Sequence, residues 1–200
     1  MNVRTETERV GVLLRKDKKF SSKRILLELT LLTFAGFVVH ILVAAILLGG
    51  LSRAYEGDES DYVYLATHIV QGSGFTDNSG HPTSGHTPGL PLLLTIPIWL
   101  VGPNITAIRI FMCLIESLLI PTCYLLARSL TGSARLGLLA AVIAIFFPSW
   151  IIPSGAVLTD IPAAILVTLM AWMLIEGHRR QSVLWVVGAG FVWGAGLYRV

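Results

Sequence analysis

The chain has 200 residues, of which 54% are hydrophobic and 14% charged. Soluble domains carry roughly 25% charged residues, so composition excludes an ordinary soluble globular domain. The net charge of +3 is spread unevenly. Residues 1–24 hold eight basic side chains, whereas residues 51–88 hold Arg53 alone against Glu56, Asp58, Glu59, Asp61 and Asp77. Such asymmetry across apolar segments bears on membrane orientation and excludes a nucleic-acid role. Cys113 and Cys123 share one apolar segment, ~15 Å apart along a helix axis, which is too far for a disulfide. Both read as packing residues.

Residues 1–24 read as a basic cytoplasmic tail, and residues 25–200 as a membrane domain with an external loop at 50–105. Ile25–Leu48 exceeds the ~20 residues a membrane span needs. It is too long for a signal-peptide core and lacks a small-residue cleavage site, so it reads as a retained anchor. Glu28 is close enough to its end to snorkel. His40 lies deeper and is expected to face other helices.

An acidic cluster follows, Asp58-Glu59-Ser60-Asp61, leading into an apolar-periodic run. Carboxylates between spans are costly to desolvate and mark chemistry or ion handling. Gly57-Asp58 predicts a helix start, with Asp58 at the N-cap and Asp61 at N3 of a capping-box-like arrangement. Asp58, Tyr62, Leu65 and Ile69 then share a face, and Gly72 and Gly74 end the helix. On the plain reading Asp58 is only a cap.

Residues 75–91 are turn-forming, rich in Gly, Pro, Ser and Asn. His81 and His86 sit there, either as loop-surface histidines or as ligands of a His/Asp metal site. Their spacing matches no zinc pattern. The acidic loop has oxygen ligands that could hold a divalent cation as cofactor, but nothing in its spacing demands one.

Leu90 to Val101, interrupted by Pro91 and Pro97, is too short to cross and reads as re-entrant or interfacial. Thr106–Leu130, Leu136–Ile152, Ile161–Ile175 and Val183–Tyr198 read as spans. With five spans and one juxtamembrane element, Arg128, Arg135, His178, Arg179 and Arg180 fall on the cytoplasmic side, as the positive-inside bias requires. Asp58, Asp160 and Arg199 then fall at the opposite face, with Arg109 one turn inside it. Two carboxylates and two guanidiniums thus share one side of the bilayer.

Several pieces occur in a telling order. Asp58-Glu59 precedes Tyr62 and Ala66; Thr87-Pro88-Gly89-Leu90-Pro91 follows. Then come Ala107-Ile108-Arg109, Tyr124-Leu125-Leu126-Ala127-Arg128, Phe147-Pro148, Leu158-Thr159-Asp160 and Gly194-Ala195-Gly196-Leu197-Tyr198-Arg199. The set resembles the polytopic GT-C glycosyltransferases. These include the lipid A aminoarabinose transferases, the protein O-mannosyltransferases and the Rgt-type galacturonosyltransferases. Thr87 and Leu90 depart from the Pro and aromatic residues usual in that family's turn.

The resemblance implies an all-α membrane enzyme of the plasma (inner) membrane, with its site on the non-cytoplasmic side. Such an enzyme takes a sugar from a polyprenyl-phosphate donor and passes it, with inversion, to a lipid, glycan or protein hydroxyl. Asp58 would be the general base. Glu59 or Asp160 would support it or orient the acceptor, with Tyr62 and His86 in the substrate region. Arg109 and Arg199 would neutralise the departing lipid phosphate, for which a guanidinium fork is well shaped.

Each assignment has a plainer counterpart. Arg109 could instead form a structural ion pair with Glu116 or a loop acid, and Arg199 could be an interface arginine. Asp160, just before Pro162, could be a helix cap, and Glu116 a helix–helix polar contact. A transporter or lipid flippase, with His40 and Glu116 as its deep polar groups, and a non-catalytic membrane subunit are the other function classes. The resemblance further implies a longer enzyme, of which these residues would be the front portion, inactive alone.

Overall fold

The computed structural model describes residues 22–47, 49–76 and 79–197. Among these the secondary structure is helical, with one isolated antiparallel bridge between Thr76 and Pro82. Among the described residues three helices are long and apolar enough to cross a bilayer: Lys23–Leu47, Ile105–Thr131 and Asp160–Arg180. The chain is an all-α, multi-pass membrane protein. Residues 1–21 of the basic tail and Arg199 lie outside the described residues, while Lys23 and Arg24 fall in the first helix.

Helix α1 (Ser22–Leu47) carries leucines outward along most of its length. Its inner side uses Gly36 to receive Ile120, and His40, 2% exposed, faces inward as expected.

Helix α2 (Asp58–Val70) begins one residue earlier in register than the sequence predicts. Gly57, at φ 54°, is the N-cap and makes no side-chain cap bond, so Asp58 is the first helical residue. The capping box on Asp58 and Asp61 does not form. Its nearest equivalent is offset: Glu59 Oε2 accepts the Glu56 N–H at 3.1 Å. The end is as predicted, with Gly72 at φ 80°. Its N–H reaches Ile69 O at 3.1 Å, and the Ser73 N–H reaches His68 O at 2.9 Å, a Schellman closure.

Helix α3 (Gly89–Val101) is continuous through both prolines. Pro91 sits in the first turn, where no N–H partner is needed, and Pro97 removes one interior bond. At about 1.5 Å per residue its 13 residues cannot cross a ~30 Å hydrocarbon core. It packs on α2 and α4.

Helices α4 (Ile105–Ser117) and α5 (Leu119–Thr131) form one 27-residue apolar rod. The break at Leu118 lies where Pro121 clashes with the carbonyl four residues back. Asn104 caps α4 by accepting the Ala107 N–H at 3.0 Å.

Helix α6 (Ala134–Phe146) stops where Phe147 turns extended before Pro148, which opens the short α7 (Pro148–Ile151). Helix α8 (Asp160–Arg180) is longer than the predicted Ile161–Ile175, and α9 (Val183–Leu197) packs against it. Two expected spans, at 136–152 and 183–198, therefore appear as the shorter apolar helices Ala134–Phe146 and Val183–Val192.

Two apolar cores result. Tyr62, Val63, Ala66, Leu90, Leu94, Ile98, Ile108, Met112 and Val157 tie α2, α3 and α4 to the segment before α8. Ile25, Ile120, Tyr124, Ala141, Ala144 and Ile145 join α1, α5 and α6. Gly137 lets α6 approach the Tyr124 ring; a Cβ there would stand 2.8 Å from Tyr124 Cδ2.

Candidate functional site

The buried residues of α2 are Glu59, Tyr62, Val63, Leu65 and Ala66. The inward stripe 59–62–63–66 follows helical spacing. It passes through Glu59; of the residues that the sequence reading put on one face, Tyr62 and Leu65 are buried and Asp58 is not. Asp58 is exposed at the helix start, and Glu59 is 4% exposed.

Glu59 meets Arg109, which is fully buried. Arg109 Nη1 donates to Glu59 Oε1 at 3.0 Å and Nη2 to Oε2 at 3.2 Å, a two-pronged pair. Arg109 also donates to the carbonyls of Gly155 at 3.0 Å and Arg53 at 3.3 Å. Glu59 Oε1 in turn accepts the Val157 N–H at 2.9 Å. Arg53 Nη2 stands 3.7 Å from Glu59 Oε2, and the Tyr55 ring lies 5.3 Å from the Arg109 guanidinium. The loop-acid alternative for Arg109 is the one the structure contains. Its guanidinium is enclosed by protein, with no face open to a lipid phosphate.

Burial by itself would raise the Glu59 pKa. The Arg109 bond and the Val157 and Glu56 N–H groups outweigh it and hold the carboxyl below the usual carboxylate range. Burial pushes the Tyr55 phenol up to about 12, with Arg109 opposing and Glu59 reinforcing that shift.

A second polar node lies deeper. Glu116 accepts the Gly155 N–H, at 3.0 Å to Oε1 and 3.2 Å to Oε2. His40 Nδ1 stands 2.6 Å from Ser154 Oγ and 3.4 Å from Glu116 Oε2. The deep pair that an ion path would use is thus engaged with the chain itself. Between the two nodes, residues 154–157 are buried, although they belong to a loop. Each carboxylate takes one backbone N–H of that loop.

The clamp sets where the remaining acids stand. Asp58 is one residue from Glu59, and Asp160 is three residues from Val157. One hydrogen bond therefore brings the start of α2 and the start of α8 to the same end of the molecule. Asp160 is exposed at the first position of α8; Thr159 is the cap and makes no side-chain cap bond. Arg199, expected beside them, lies outside the described residues.

Beside α2 is a cleft of 280 Å³ lined by Asp61, Tyr64, Leu65, Ser79, Thr83 and His86, among others. His86 Nε2 stands 3.4 Å from Asp61 Oδ2 and its ring meets Tyr62 edge-on at 5.0 Å. Tyr62 itself is core, 7% exposed. Among the described residues no three His, Cys, Asp or Glu side chains gather as a metal site. A separate apolar groove of 310 Å³ runs between α3, α4 and α8, with Leu90, Leu93, Ile115, Pro162 and Leu166 on its walls and Thr87 and Thr159 at its polar edge.

The sequence reading missed Tyr55, Ser154, Gly155 and Val157. Their role is made by contacts across 39 to 114 residues of chain, to which local pattern is blind. A usable signal was the stripe at 62, 63 and 66, which selects Glu59 over Asp58 as the buried acid.

No curated protein and no solved structure matches the chain. A family model described as dolichyl-phosphate-mannose-protein mannosyltransferase matches residues 85–199, more than half of the chain, from the end of the cleft loop through α3 to α9. With that match over more than half of its length and its multi-pass helical build, the chain belongs to the dolichyl-phosphate-mannose-protein mannosyltransferase family.

Proposed function

We propose that the protein transfers a sugar from a polyprenyl-phosphate donor to a hydroxyl of a lipid, glycan or protein, with inversion, on the non-cytoplasmic side of the plasma (inner) membrane. Asp58 is the general base. It takes the proton of the acceptor hydroxyl as that oxygen attacks the anomeric carbon. The bond from that carbon to the phosphate oxygen breaks, and the polyprenyl phosphate leaves. Asp160 orients the acceptor, His86 binds it from the cleft beside α2, and Arg199 meets the lipid phosphate. Tyr62 holds α2 against α3 and keeps His86 in place.

Glu59 and Arg109 act through others. Their buried pair fixes the first turn of α2, on which Asp58 stands, and the segment that delivers Asp160. The observation that carries this reading is the 2.9 Å bond from the Val157 N–H to Glu59. It draws the two exposed carboxylates to one end. The groove edged by Thr159 supports a prenyl chain lying beside Asp160.

The test uses membranes containing the full chain and labelled polyprenyl-phosphate mannose, the sugar in the family's description. Loss of a general base lowers transfer by roughly 10²–10⁴-fold, so Asp58→Asn is expected to fall in that range with protein level unchanged. Wild-type transfer by Asp58→Asn would remove Asp58 from the mechanism.

A further inference from the structure

At the far end of α8 from Asp160, 21 residues and so about 30 Å away, α5 and α8 enclose a second polar cleft. It has a volume of 400 Å³ and is lined by Leu125, Arg128, Ser129, Gly132, Trp172, Glu176, Arg179 and Arg180. Three guanidiniums thus face one carboxylate. Glu176 is taken up by Arg180 at 2.7 Å, with Ser129 Oγ at 3.4 Å, and the Arg180 guanidinium lies 5.3 Å from the Trp185 ring. Arg128 meets the hydroxyl of buried Tyr124, at 3.2 Å, and its ring. Among the described residues neither Arg128 nor Arg179 forms an ion pair with a carboxylate.

The floor is apolar: Leu125 and Trp172 lie one turn or more inward from the arginines, and Trp172 meets Trp185 edge-on at 5.3 Å. Paired indoles beneath a ring of arginines mark the level where headgroups meet acyl chains. Three guanidiniums against the single carboxylate of Glu176 leave a positive excess over an apolar floor between two membrane-crossing helices, which suits a phosphate that carries a hydrocarbon tail.

We propose that this cleft binds the phosphate headgroup of an anionic phospholipid. Arg128 and Arg179 hold the phosphate oxygens, Ser129 stands beside them, and an acyl chain runs along Leu125 and Trp172. The site is separate from the transfer site and does not depend on that activity.

Native mass spectrometry tests it on the full chain, released from micelles doped with phosphatidylglycerol or with phosphatidylcholine. Wild type is expected to retain phosphatidylglycerol preferentially. One surface guanidinium near a headgroup contributes roughly fivefold in affinity, so Arg128→Gln and Arg179→Gln should each lower retention by about that factor. Arg128→Lys, which keeps the charge, should retain the preference. Arg135→Gln, a basic residue outside the cleft lining, should not change it. Equal retention of both lipids, or a loss in Arg135→Gln as large as in Arg128→Gln, would overturn the proposal. Excess inorganic phosphate should not displace the lipid. If it does, the cleft serves a soluble phosphate compound and the lipid assignment fails.

Discussion

Arg109 and Glu59, fifty residues apart, meet fork to fork in the interior, with nitrogen–oxygen distances of 3.0 and 3.2 Å. Removing one partner leaves the other charge buried and uncompensated, which costs about 3–5 kcal/mol. Glu59→Gln and Arg109→Ala should each lower the thermal midpoint in detergent sharply. Arg109→Lys should not rescue, because a single ammonium cannot span Glu59 and the Gly155 carbonyl together. The double variant that combines Glu59→Gln with Arg109→Ala should cost less than the sum of the singles. Strict additivity would mean that the pair is not coupled.

The same pair gives the stability a pH dependence of defined sign. The folded pKa of Glu59 is lowered, so its contribution is complete above the unfolded carboxylate value of about 4.3 and fades as pH falls through the folded one. Stability should be flat near neutrality and decline in acid, and Glu59→Gln should shrink that acid limb. At the alkaline end the phenol of Tyr55 is pushed up to about 12. Between the ordinary tyrosine value of about 10 and that point the unfolded chain has lost a proton that the fold retains, so stability falls as pH rises. Tyr55→Phe should reduce that limb. Midpoints measured across pH for the three proteins decide both limbs.

The spans at 23–47, 105–131 and 160–180 were legible because long apolar runs carry their own signal. The inward face of His40 and the Gly72 closure of α2 were legible for equally local reasons. Which of two adjacent acids is buried is a question the sequence reading did not address. Asp58 and Glu59 differ by about 100° around a helix, and their chemistry is alike; only Tyr62, Val63 and Ala66 tell them apart. The clamp on residues 154–157 was out of reach, since its partners lie on α1, α2 and α4. The apolar piece with Pro91 and Pro97 was read as too short to cross, and α3 is a single 13-residue helix packed on α2 and α4.

The expected orientation puts the Arg128 and Arg179 end in the cytoplasm and the Asp58 end outside. A cysteine at Ser133 should then resist an impermeant external reagent, and one at Ser73, exposed just past α2, should react. Ser154, at first sight an outer-loop position, is a poor reporter, being fully buried against His40. External labelling at Ser133 would invert the topology and with it the side assigned to transfer.

Gly155 joins the two buried carboxylates. Its N–H goes to Glu116, and its carbonyl accepts from Arg109. Its φ of +75° suits glycine, and an added Cβ would stand 3.0 Å from Ala44 Cβ and 3.3 Å from Cys113 Sγ. Two costs are therefore expected in Gly155→Ala: about 1–3 kcal/mol for the left-handed backbone and a similar ~1–3 kcal/mol for crowding between α1 and α4. Ala44→Gly should restore the second and not the first, so the double variant should regain part of the lost midpoint. The loop between the two nodes also delivers Asp160, so transfer should fall in Gly155→Ala even at temperatures where the protein stays folded. A variant as stable and as active as wild type would show that the loop tolerates displacement and that the clamp does not set the position of Asp160.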